Sequence, residues 1–268
     1  MKKNRVIPVL LLKNGWLVQS KGFSRHQNLG NPIDAVKRLS KWASDELIYL
    51  DISRNDVYDT KRDDQGYKNI SSFLGIIEDI SKEVFMPMTI GGKIKSLQDI
   101  EDRLLLGADK VSINTEAYKN NKLIHDAANE FGSQCIVVSM DVQKTKFGNR
   151  VFTNFGQEDT GFDPLYWSKI MEEYGAGEIL LNSIDRDGSG EGYDIALIDE
   201  ISEICSCPII AFGGVGEWEH FKDALDKTNV DAVAAANIFH YTDQSVYNSK
   251  KYLFNNGCNV RKPDLLKI

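Results

Sequence analysis

Eight short apolar runs, each followed by an amphipathic helical stretch, are the feature that most constrains the fold of this chain. The runs are too short for helical periodicity, which is typical of strands buried on both sides in a parallel sheet. Strands are predicted at residues 6–12, 47–52, 86–90, 110–113, 135–141, 178–183, 208–212 and 232–236. Helices are predicted near residues 33–43, 70–82, 97–106, 120–131, 164–174, 195–204, 217–227 and 245–255. Eight such units in 268 residues predict one domain, a single (β/α)8 TIM barrel over residues 1–268.

An internal repeat divides the predicted barrel into two halves. The pair Gly91-Gly92 precedes Asp109 by 18 positions, and the pair Gly213-Gly214 precedes Asp231 by the same 18 positions. The alternative is that a Gly-Gly pair after a strand only permits a tight turn. The equal spacing favours a two-fold repeat with half-barrels at approximately 1–131 and 132–268, and hence two related anion sites.

Composition excludes several classes of protein. A net charge of −7 argues against a general nucleic-acid binder, and no apolar run reaches the length of a membrane-spanning helix. The apolar run after the basic N-terminus lacks a cleavage pattern and is interpreted as a strand, not as a signal peptide. Four cysteines without a Cys-x-x-Cys pair predict reduced thiols in the cytoplasm. A metal site at Cys205 and Cys207 lacks further ligands nearby in sequence, so we expect no metal and no cofactor.

Chemistry is expected where the strands end, at the C-terminal mouth of the barrel. Asp141 ends the fifth predicted strand, where a carboxylate can act as a general acid or base; alternatively, it caps the following turn. Glycines and short polar residues follow several other strands at two opposed places. These are Gly91, Gly92, Asn114, Thr115, Asp187, Gly188, Gly213, Gly214 and Asn237. Their N–H groups and side chains suit a ligand that is anionic or polar at both ends.

Charged residues stand where four strands begin, at the opposite mouth. Arg5, Glu46, Lys110 and Glu178 lie at or next to the starts of strands one, two, four and six. Two bases and two acids there predict a neutral ring of ion pairs across the bottom of the barrel. The ring is either a structural plug or a gate that a small neutral molecule passes.

Several motifs resemble one known family. Residues 107–115, 175–181 and 183–188, together with Arg5 and Phe239-His240, are similar to the cyclase subunit of imidazole glycerol phosphate synthase, and the likeness runs over nearly the whole chain. The resemblance implies a (β/α)8 barrel whose N-terminal face docks on a glutaminase subunit. It further implies that ammonia crosses the barrel and attacks a bis-phosphorylated substrate at the C-terminal face.

Roles carry over by position. The resemblance implies that Arg5, Glu46, Lys110 and Glu178 form the ammonia gate. It also implies that Asp109 contacts the glutaminase and that Asp141 is one of two catalytic aspartates. One implied phosphate site comprises Gly91, Gly92, Lys93, Asn114 and Thr115. The other comprises Asp187, Gly188, Gly213, Gly214, Ala236 and Asn237.

The chain departs from the family pattern at its active face. Leu11 stands where the family has its other catalytic aspartate, and leucine can neither transfer a proton nor carry charge. Gln19 replaces a lysine, and Asn237 replaces a serine. Lys93 replaces a glycine, so its stem blocks close backbone approach, although its ammonium retains the ability to bind an anion. Residues 53–67 form a longer segment than the family has and are predicted to be a rebuilt substrate lid; a solvated loop is the alternative.

The chain retains the residues that the resemblance assigns to ammonia conduction. It lacks some of the residues that the resemblance assigns to cyclisation of the histidine precursor. It resembles the branch of the family linked to amidation of bacterial surface sugars, in which a barrel, a glutaminase and a separate ATP-dependent synthetase act on a small anionic or sugar substrate. One alternative is an authentic histidine-pathway cyclase. Another is a non-catalytic scaffold that activates a glutaminase.

Overall fold

A computed structural model describes residues 2–60 and 69–265 of the chain. The strands in these ranges are β1 Arg5–Lys13, β2 Trp16–Lys21, β3 Arg25–Gly30, β4 Leu47–Asp51, β5 Met88–Gly91, β6 Lys110–Ile113, β7 Ile136–Thr145, β8 Gly148–Thr153, β9 Glu158–Asp159, β10 Glu178–Ser183, β11 Ile209–Phe212 and β12 Ala232–Ala235. The helices are α1 Pro32–Lys41, α2 Phe73–Ser81, α3 Leu97–Leu105, α4 Thr115–Lys119, α5 Lys122–Phe131, α6 Pro164–Glu173, α7 Ile195–Ile204, α8 Trp218–Lys227 and α9 Ser245–Asn255.

Eight parallel strands close into a barrel, which confirms the predicted fold. In order around the barrel they are β1, β4, β5, β6, β7, β10, β11 and β12, and β12 pairs again with β1. Each corresponds to one predicted strand. The largest differences are at β5, which begins two residues later than predicted, and at β7, which runs four residues beyond Asp141. Asp141 therefore lies within its strand and does not end it.

Local capping explains where several helices begin. Asn31 accepts a hydrogen bond from the N–H of Ile33, and Asp163 accepts from the N–H groups of Leu165 and Tyr166. Proline occupies the first position of both α1 and α6, where its missing N–H costs nothing. The short helix α4 was not predicted, because five residues are too few for a periodic signal.

Two hairpins extend the barrel at its C-terminal mouth. Strands β2 and β3 follow β1, and β8 and β9 follow β7, which are the first and fifth barrel strands. The tips of the two hairpins meet, because a Cβ built on Gly156 would lie 3.1 Å from the ring of Phe23. The guanidinium of Arg54, in the loop after β4, lies 5.7 Å from the centre of the Phe155 ring.

The predicted lid at residues 53–67 is described only in part, since residues 61–67 lie outside the described ranges. Ser53 accepts a hydrogen bond from the N–H of Asn14 through its hydroxyl, at 2.6 Å. Tyr58 donates its hydroxyl hydrogen to Asp51. The described part of this loop is therefore fastened to the β1–β2 turn and to the end of β4.

The two-fold repeat has a structural counterpart at the starts of the strands. Asp109, before β6, accepts the N–H of Met88 at 2.8 Å, and Asp231, before β12, accepts the N–H of Ile209 at 3.3 Å. Both carboxylates thus cap the first residue of the preceding barrel strand. These are the two aspartates that define the repeat in the sequence. The half-barrel boundary near residue 131 stays a prediction.

The core has two layers, set by the alternation of side chains along each strand. Along β1, Val6 and Leu10 face the surrounding helices, whereas Ile7, Val9 and Leu11 face the interior of the barrel. The interior layer continues with apolar side chains from five other strands: Ile48, Val137, Leu180, Ile210, Ala232 and Ala234. Within the described part of the chain, no helix is long and apolar enough to cross a membrane.

A buried ion pair fastens the last helix to the barrel. Lys250 of α9 is 1% exposed, and its Nζ donates to the carbonyl oxygen of Ala43 at 2.8 Å and to Asp45 Oδ1 at 2.7 Å. The other oxygen of Asp45 accepts the N–H of Val6 at 2.9 Å. Removing the ammonium would leave a carboxylate with little solvent around it.

We expect Lys250→Met to lower the free energy of unfolding by about 3–5 kcal/mol, because it preserves side-chain volume but strands the charge of Asp45. Urea unfolding followed by circular dichroism measures the loss. Lys251→Met, at the exposed neighbouring position, is the matched control and should change stability by less than about 0.5 kcal/mol. Equal effects of the two substitutions would contradict a role for the buried pair.

Candidate functional site

Four charged side chains close a ring at the N-terminal mouth, as the sequence predicts. Arg5 Nη1 lies 2.7 Å from Glu46 Oε1 and 2.9 Å from Glu178 Oε1. Lys110 Nζ lies 3.2 Å from Glu46 Oε2 and 3.0 Å from Glu178 Oε2. Each cation therefore bridges both carboxylates, and each carboxylate oxygen meets one cation. The ring carries no net charge.

Burial makes this ring more than a set of surface ion pairs. Its side chains are only 10–16% exposed. Burial alone lowers the pKa of Arg5, but the charges and hydrogen bonds of Glu178 and Glu46 more than offset it, so the pKa lies above its usual value. Two nitrogens of Arg5, Nε and Nη2, are buried without an acceptor among the described residues. These donors are available to a small polar molecule entering the barrel floor.

The interior above the ring is largely apolar, although Thr89 and Ser112 contribute buried hydroxyl groups. Ile7, Val9, Ile48, Val137 and Leu180 belong to one buried cluster inside the barrel. An ion loses its hydration in such surroundings at a large cost, whereas a small neutral molecule loses much less. A charged species that entered from this side would therefore bear the larger desolvation cost.

Asp141 lies on β7 at the C-terminal mouth and is 8% exposed. Its Oδ1 accepts a hydrogen bond from Asn182 Nδ2 at 3.0 Å, and its Oδ2 accepts one from Asn114 Nδ2 at 3.1 Å. Burial raises the pKa of Asp141 from the usual 3.8 to about 7; the charge of Asp187 adds to this rise, and the two asparagines oppose it. A carboxyl group poised near neutrality suits general acid or base chemistry.

Asn182 is a site residue that the sequence analysis missed. It stands opposite Asp141 in the pairing of β10 with β7, and its Oδ1 is buried without a hydrogen-bond partner in the described part of the chain. The amide nitrogen of Asn182 points towards Asp141 and donates a hydrogen bond, which favours the carboxylate form of Asp141. If the amide turns over, its oxygen can accept a hydrogen from the protonated form. A polar residue inside the apolar strand 178–183 was the signal available in the sequence.

The opposite side of the mouth is apolar. Leu11 is 7% exposed and belongs to the interior cluster together with Val18, Leu50 and Phe212. Leu11 thus faces the barrel mouth, where the resemblance implies a catalytic residue. Phe212, at the end of β11, was predicted only as the last residue of a strand. The mouth therefore joins a polar half, which holds Asp141, to an apolar half.

At the first predicted phosphate site, the ammonium of Lys93 is already engaged. Lys93 Nζ lies 3.1 Å from Asp56 Oδ1 and 3.6 Å from Asp51 Oδ2, and it donates to the carbonyl oxygen of Asn55. It also lies 5.2 Å from the centre of the Tyr58 ring. Lys93 therefore holds the loop after β4, and its role in anion binding stays a prediction.

The rest of that site surrounds Asp141. Asn114 donates to the carbonyl oxygen of Ser139 as well as to Asp141, so its amide fixes the carboxyl group in place. Thr115 donates its hydroxyl hydrogen to Asn114 Oδ1 at 3.2 Å and begins helix α4. Gly91 ends β5 and Gly92 follows it, on the strand next to β6.

At the second predicted phosphate site, the residues hold the tip of the β2–β3 hairpin. Asp187 Oδ2 accepts the hydroxyl of Ser20 at 2.7 Å and the N–H of Phe23 at 3.0 Å. Asn237 Nδ2 donates to the carbonyl oxygen of Ser20 at 2.8 Å. A Cβ on Gly188 would lie 2.6 Å from the same oxygen, which explains glycine there. An anion bound at this site would therefore compete with the hairpin for the same hydrogen-bonding groups.

The neighbouring turns complete this side of the mouth. Gly214 accepts the N–H of Gly192 at 2.8 Å through its carbonyl oxygen, and Gly213 lies against Asn182. Ala236 packs against the interior cluster. Gln19, which replaces the family's lysine, donates to the hydroxyl of Tyr241 at 3.1 Å on the exposed side of the hairpin. The binding roles predicted for these residues stay predictions.

The N-terminal face presents two exposed apolar side chains as well as Asp109. Phe85, just before β5, is 76% exposed, and Leu105, at the end of α3, is 78% exposed. Asp109 is itself exposed at the start of β6. The two large side chains were not singled out in the sequence, because no local pattern marks either of them as accessible. Within the described residues, no group of three or more His, Cys, Asp or Glu side chains forms a metal site.

These features define a (β/α)8-barrel protein with a ring of two acids and two bases at one mouth and, at the other, a buried carboxyl group whose pKa is raised to about 7. The chain belongs to the histidine biosynthesis protein family, whose model matches residues 5–245. It is 38% identical over 263 residues to the imidazole glycerol phosphate synthase subunit HisF of two Clostridium botulinum strains, Okra and Langeland. These matches cover 97% of this chain and 100% of each relative. The resemblance to that subunit is confirmed, and the surface-sugar branch stays a prediction.

The raised pKa of Asp141 predicts a pH-dependent stability. Between about pH 4 and pH 7 the folded chain keeps a proton that the unfolded chain releases, so the free energy of unfolding falls as the pH rises. Asp141→Asn removes this titration. Its stability relative to the unmodified protein should increase by up to about 3 kcal/mol between pH 5 and pH 8, as measured by urea unfolding.

Asp243→Asn, at an exposed position on the same face, serves as the control for the loss of a carboxyl group. Parallel stability profiles for the unmodified protein and Asp141→Asn across this pH range would mean that Asp141 titrates normally.

Proposed function

We propose that the chain accepts ammonia from a glutaminase docked on its N-terminal face and conducts it through the barrel to the mouth that holds Asp141. There the ammonia is used to form an amide or amidine on a bacterial surface sugar. A separate ATP-dependent synthetase supplies the activation that amide formation from a carboxylate requires. The observation that carries the proposal is the closed ring of Arg5, Glu46, Lys110 and Glu178 below a mouth that holds Asp141 together with Leu11.

The ring and the apolar interior support transfer of ammonia. Ammonia is neutral and can pass an apolar interior, whereas ammonium is excluded by its desolvation cost. Opening the ring requires one cation to leave two carboxylates, since each cation contacts both. Arg5 retains two buried donors without partners, which could hydrogen-bond the ammonia nitrogen as it enters.

The mouth supports a reaction other than cyclisation of the histidine precursor. The cyclisation implied by the family resemblance uses a pair of aspartates, and in this chain one of the two positions is Leu11, beside Leu50 and Phe212. A single carboxyl group near its pKa at neutral pH can assist attack of ammonia by accepting one proton. The apolar half suits the less polar face of a sugar or an acyl group.

The N-terminal face supports docking of the glutaminase. Phe85 and Leu105 are large apolar side chains that water covers in the isolated chain, and burying them would favour association. Asp109 lies on the same face and still has one carboxylate oxygen beyond its contact with Met88. The relatives are named as subunits, which fits a partner on this face.

Gate variants test the proposal in the bacterium that carries the chain. Deletion is expected to remove amide- or amidine-bearing sugars from the surface polysaccharide, as measured by mass spectrometry. Complementation with Glu178→Gln, which weakens two of the four ring contacts, should restore them poorly, and excess ammonium in the medium should improve the yield on the order of tenfold. Asp141→Asn should not be rescued by ammonium.

Glu173→Gln, on the exposed side of α6, is the matched control and should behave like the unmodified chain. If Glu178→Gln complements fully without added ammonium, the ring is not a gate. If Asp141→Asn complements fully, the chain is a scaffold that activates the glutaminase without chemistry of its own.

A second candidate is the cyclase reaction of histidine biosynthesis, which the names of the relatives and the retained Asp141 favour. It requires that the purified chain turn over the bis-phosphorylated imidazole precursor with ammonium salts at about pH 8. We expect no turnover by the unmodified chain, because Leu11 cannot transfer a proton. Turnover by the Leu11→Asp variant in the same assay would show that the rest of the mouth still accepts this substrate. Steady turnover by the unmodified chain would establish the cyclase instead.

A further inference from the structure

A cavity of about 650 Å³ lies on the outer wall of the barrel, between α4 and α6. Among the described residues, none of those that line it belongs to the ring or to the mouth. Five aromatic side chains line it: Tyr118, Phe162, Tyr166, Trp167 and Tyr174. Because Phe162 precedes α6 and Tyr174 follows it, this cavity, here called the α6 cavity, extends along about 15 Å of the helix. Its volume is in the range of sites that bind small molecules.

The aromatic rings of the α6 cavity hold one another in place. Phe162 and Trp167 are stacked, with ring centres 5.2 Å apart and planes 13° apart. Tyr118 meets both rings edge-on, with ring centres at 6.0 Å and 6.2 Å. Trp167 is 5% exposed, whereas Tyr166, which packs against Phe162, is 57% exposed. The wall is therefore preformed, and the stacked pair leaves no slot between its two rings for a planar base.

The polar groups of this wall are available to a ligand. The hydroxyls of Tyr118, Tyr166 and Tyr174 form no hydrogen bond with another residue that the structure describes. The indole N–H of Trp167 likewise has no acceptor in the described ranges. Asn121, which also lines the cavity, precedes α5 but does not cap that helix with its side chain. A ligand with several hydroxyl groups would satisfy these donors and acceptors.

The charge of the α6 cavity favours an anion. Lys119, at the end of α4, is the one charged side chain among the described residues that line it. The side chain is exposed and forms no ion pair within the described part of the chain. An anionic group on a ligand would therefore meet this ammonium without a competing carboxylate in the lining. A cationic ligand would be repelled by the same group.

We propose that the α6 cavity binds a sugar acid, namely a hexuronic acid ring that is either free or part of a short saccharide. The C–H bonds on one face of the sugar ring lie against the aromatic wall, since their hydrogens are slightly positive and the faces of aromatic rings are negative. The sugar hydroxyls pair with the tyrosine hydroxyls and with the amide of Asn121. The carboxylate pairs with Lys119. An alkyl chain in the same place would leave these polar groups unpaired.

The α6 cavity adjoins the C-terminal mouth through α4. Asn114 donates to Asp141, Thr115 begins α4, and Tyr118 lies within the same short helix. A sugar acid in the cavity is thus bound near the mouth but outside it. The inference does not rest on the proposed function, because binding is measured without a glutaminase, ammonia or turnover.

NMR titration of the isotopically labelled full-length chain tests the proposal. The probes are D-galacturonate, its linear trimer, and D-galactose, which has the same ring without the carboxylate. The indole N–H signal of Trp167, assigned with Trp167→Phe, should shift with a Kd of about 1 mM for galacturonate and at least about tenfold higher for galactose. Tighter binding of the trimer would identify a saccharide chain as the source of the sugar acid, and equal binding would identify the free sugar acid.

Variants separate the two kinds of contact. Lys119→Gln should weaken binding of galacturonate about tenfold and leave galactose unchanged, whereas Tyr166→Ala, at a largely exposed position, should weaken both. Lys41→Gln, at an exposed position on α1, is the matched control and should bind like the unmodified chain. An unshifted Trp167 signal, equal affinity for galacturonate and galactose, or equal effects of the two lysine substitutions would overturn the proposal. So would a Trp167 signal that shifts with protein concentration alone, since a second copy of the chain would then cover the cavity.

Discussion

Pairing of β7 with β10 closes the sheet on itself, and the chemistry of the molecule depends on this closure. A closed parallel barrel collects every strand start at one mouth and every strand end at the other. Arg5, Glu46, Lys110 and Glu178 are far apart in sequence, yet closure makes them neighbours. The same pairing sets Asn182 opposite Asp141. An open sheet with the same strands would have neither the ring nor the polar half of the mouth.

The free-energy cost of burying charge is met differently at the two mouths of the barrel. At the floor, each cation contacts both carboxylates, so the formal charges of the four side chains balance although these side chains are largely out of water. At the opposite mouth, Asp141 has two amide donors but no cation among its described hydrogen-bond partners, so its carboxylate form is disfavoured and its pKa rises. The first arrangement balances charge within a ring; the second brings the pKa of one carboxyl group close to neutrality.

The sequence predicted what periodicity and strand position can encode: the eight units, the four members of the ring and the place of Asp141. It did not predict the hairpin strand β3, whose residues 25–30 are mostly polar and exposed and lack alternation. That strand is held by its pairing with β2, a tertiary contact. The engagement of Lys93 by Asp56 and the facing of Phe212 into the mouth were also missed. Both depend on which side chains meet across strands and loops, and local sequence does not specify this.

The contact between Phe23 and Gly156 has a further consequence. Because one hairpin follows β1 and the other follows β7, this contact ties together two strands that lie on opposite sides of the eight-stranded barrel. A side chain larger than glycine at position 156 would press on the Phe23 ring and on Ile184, so one substitution would disturb both hairpins at once.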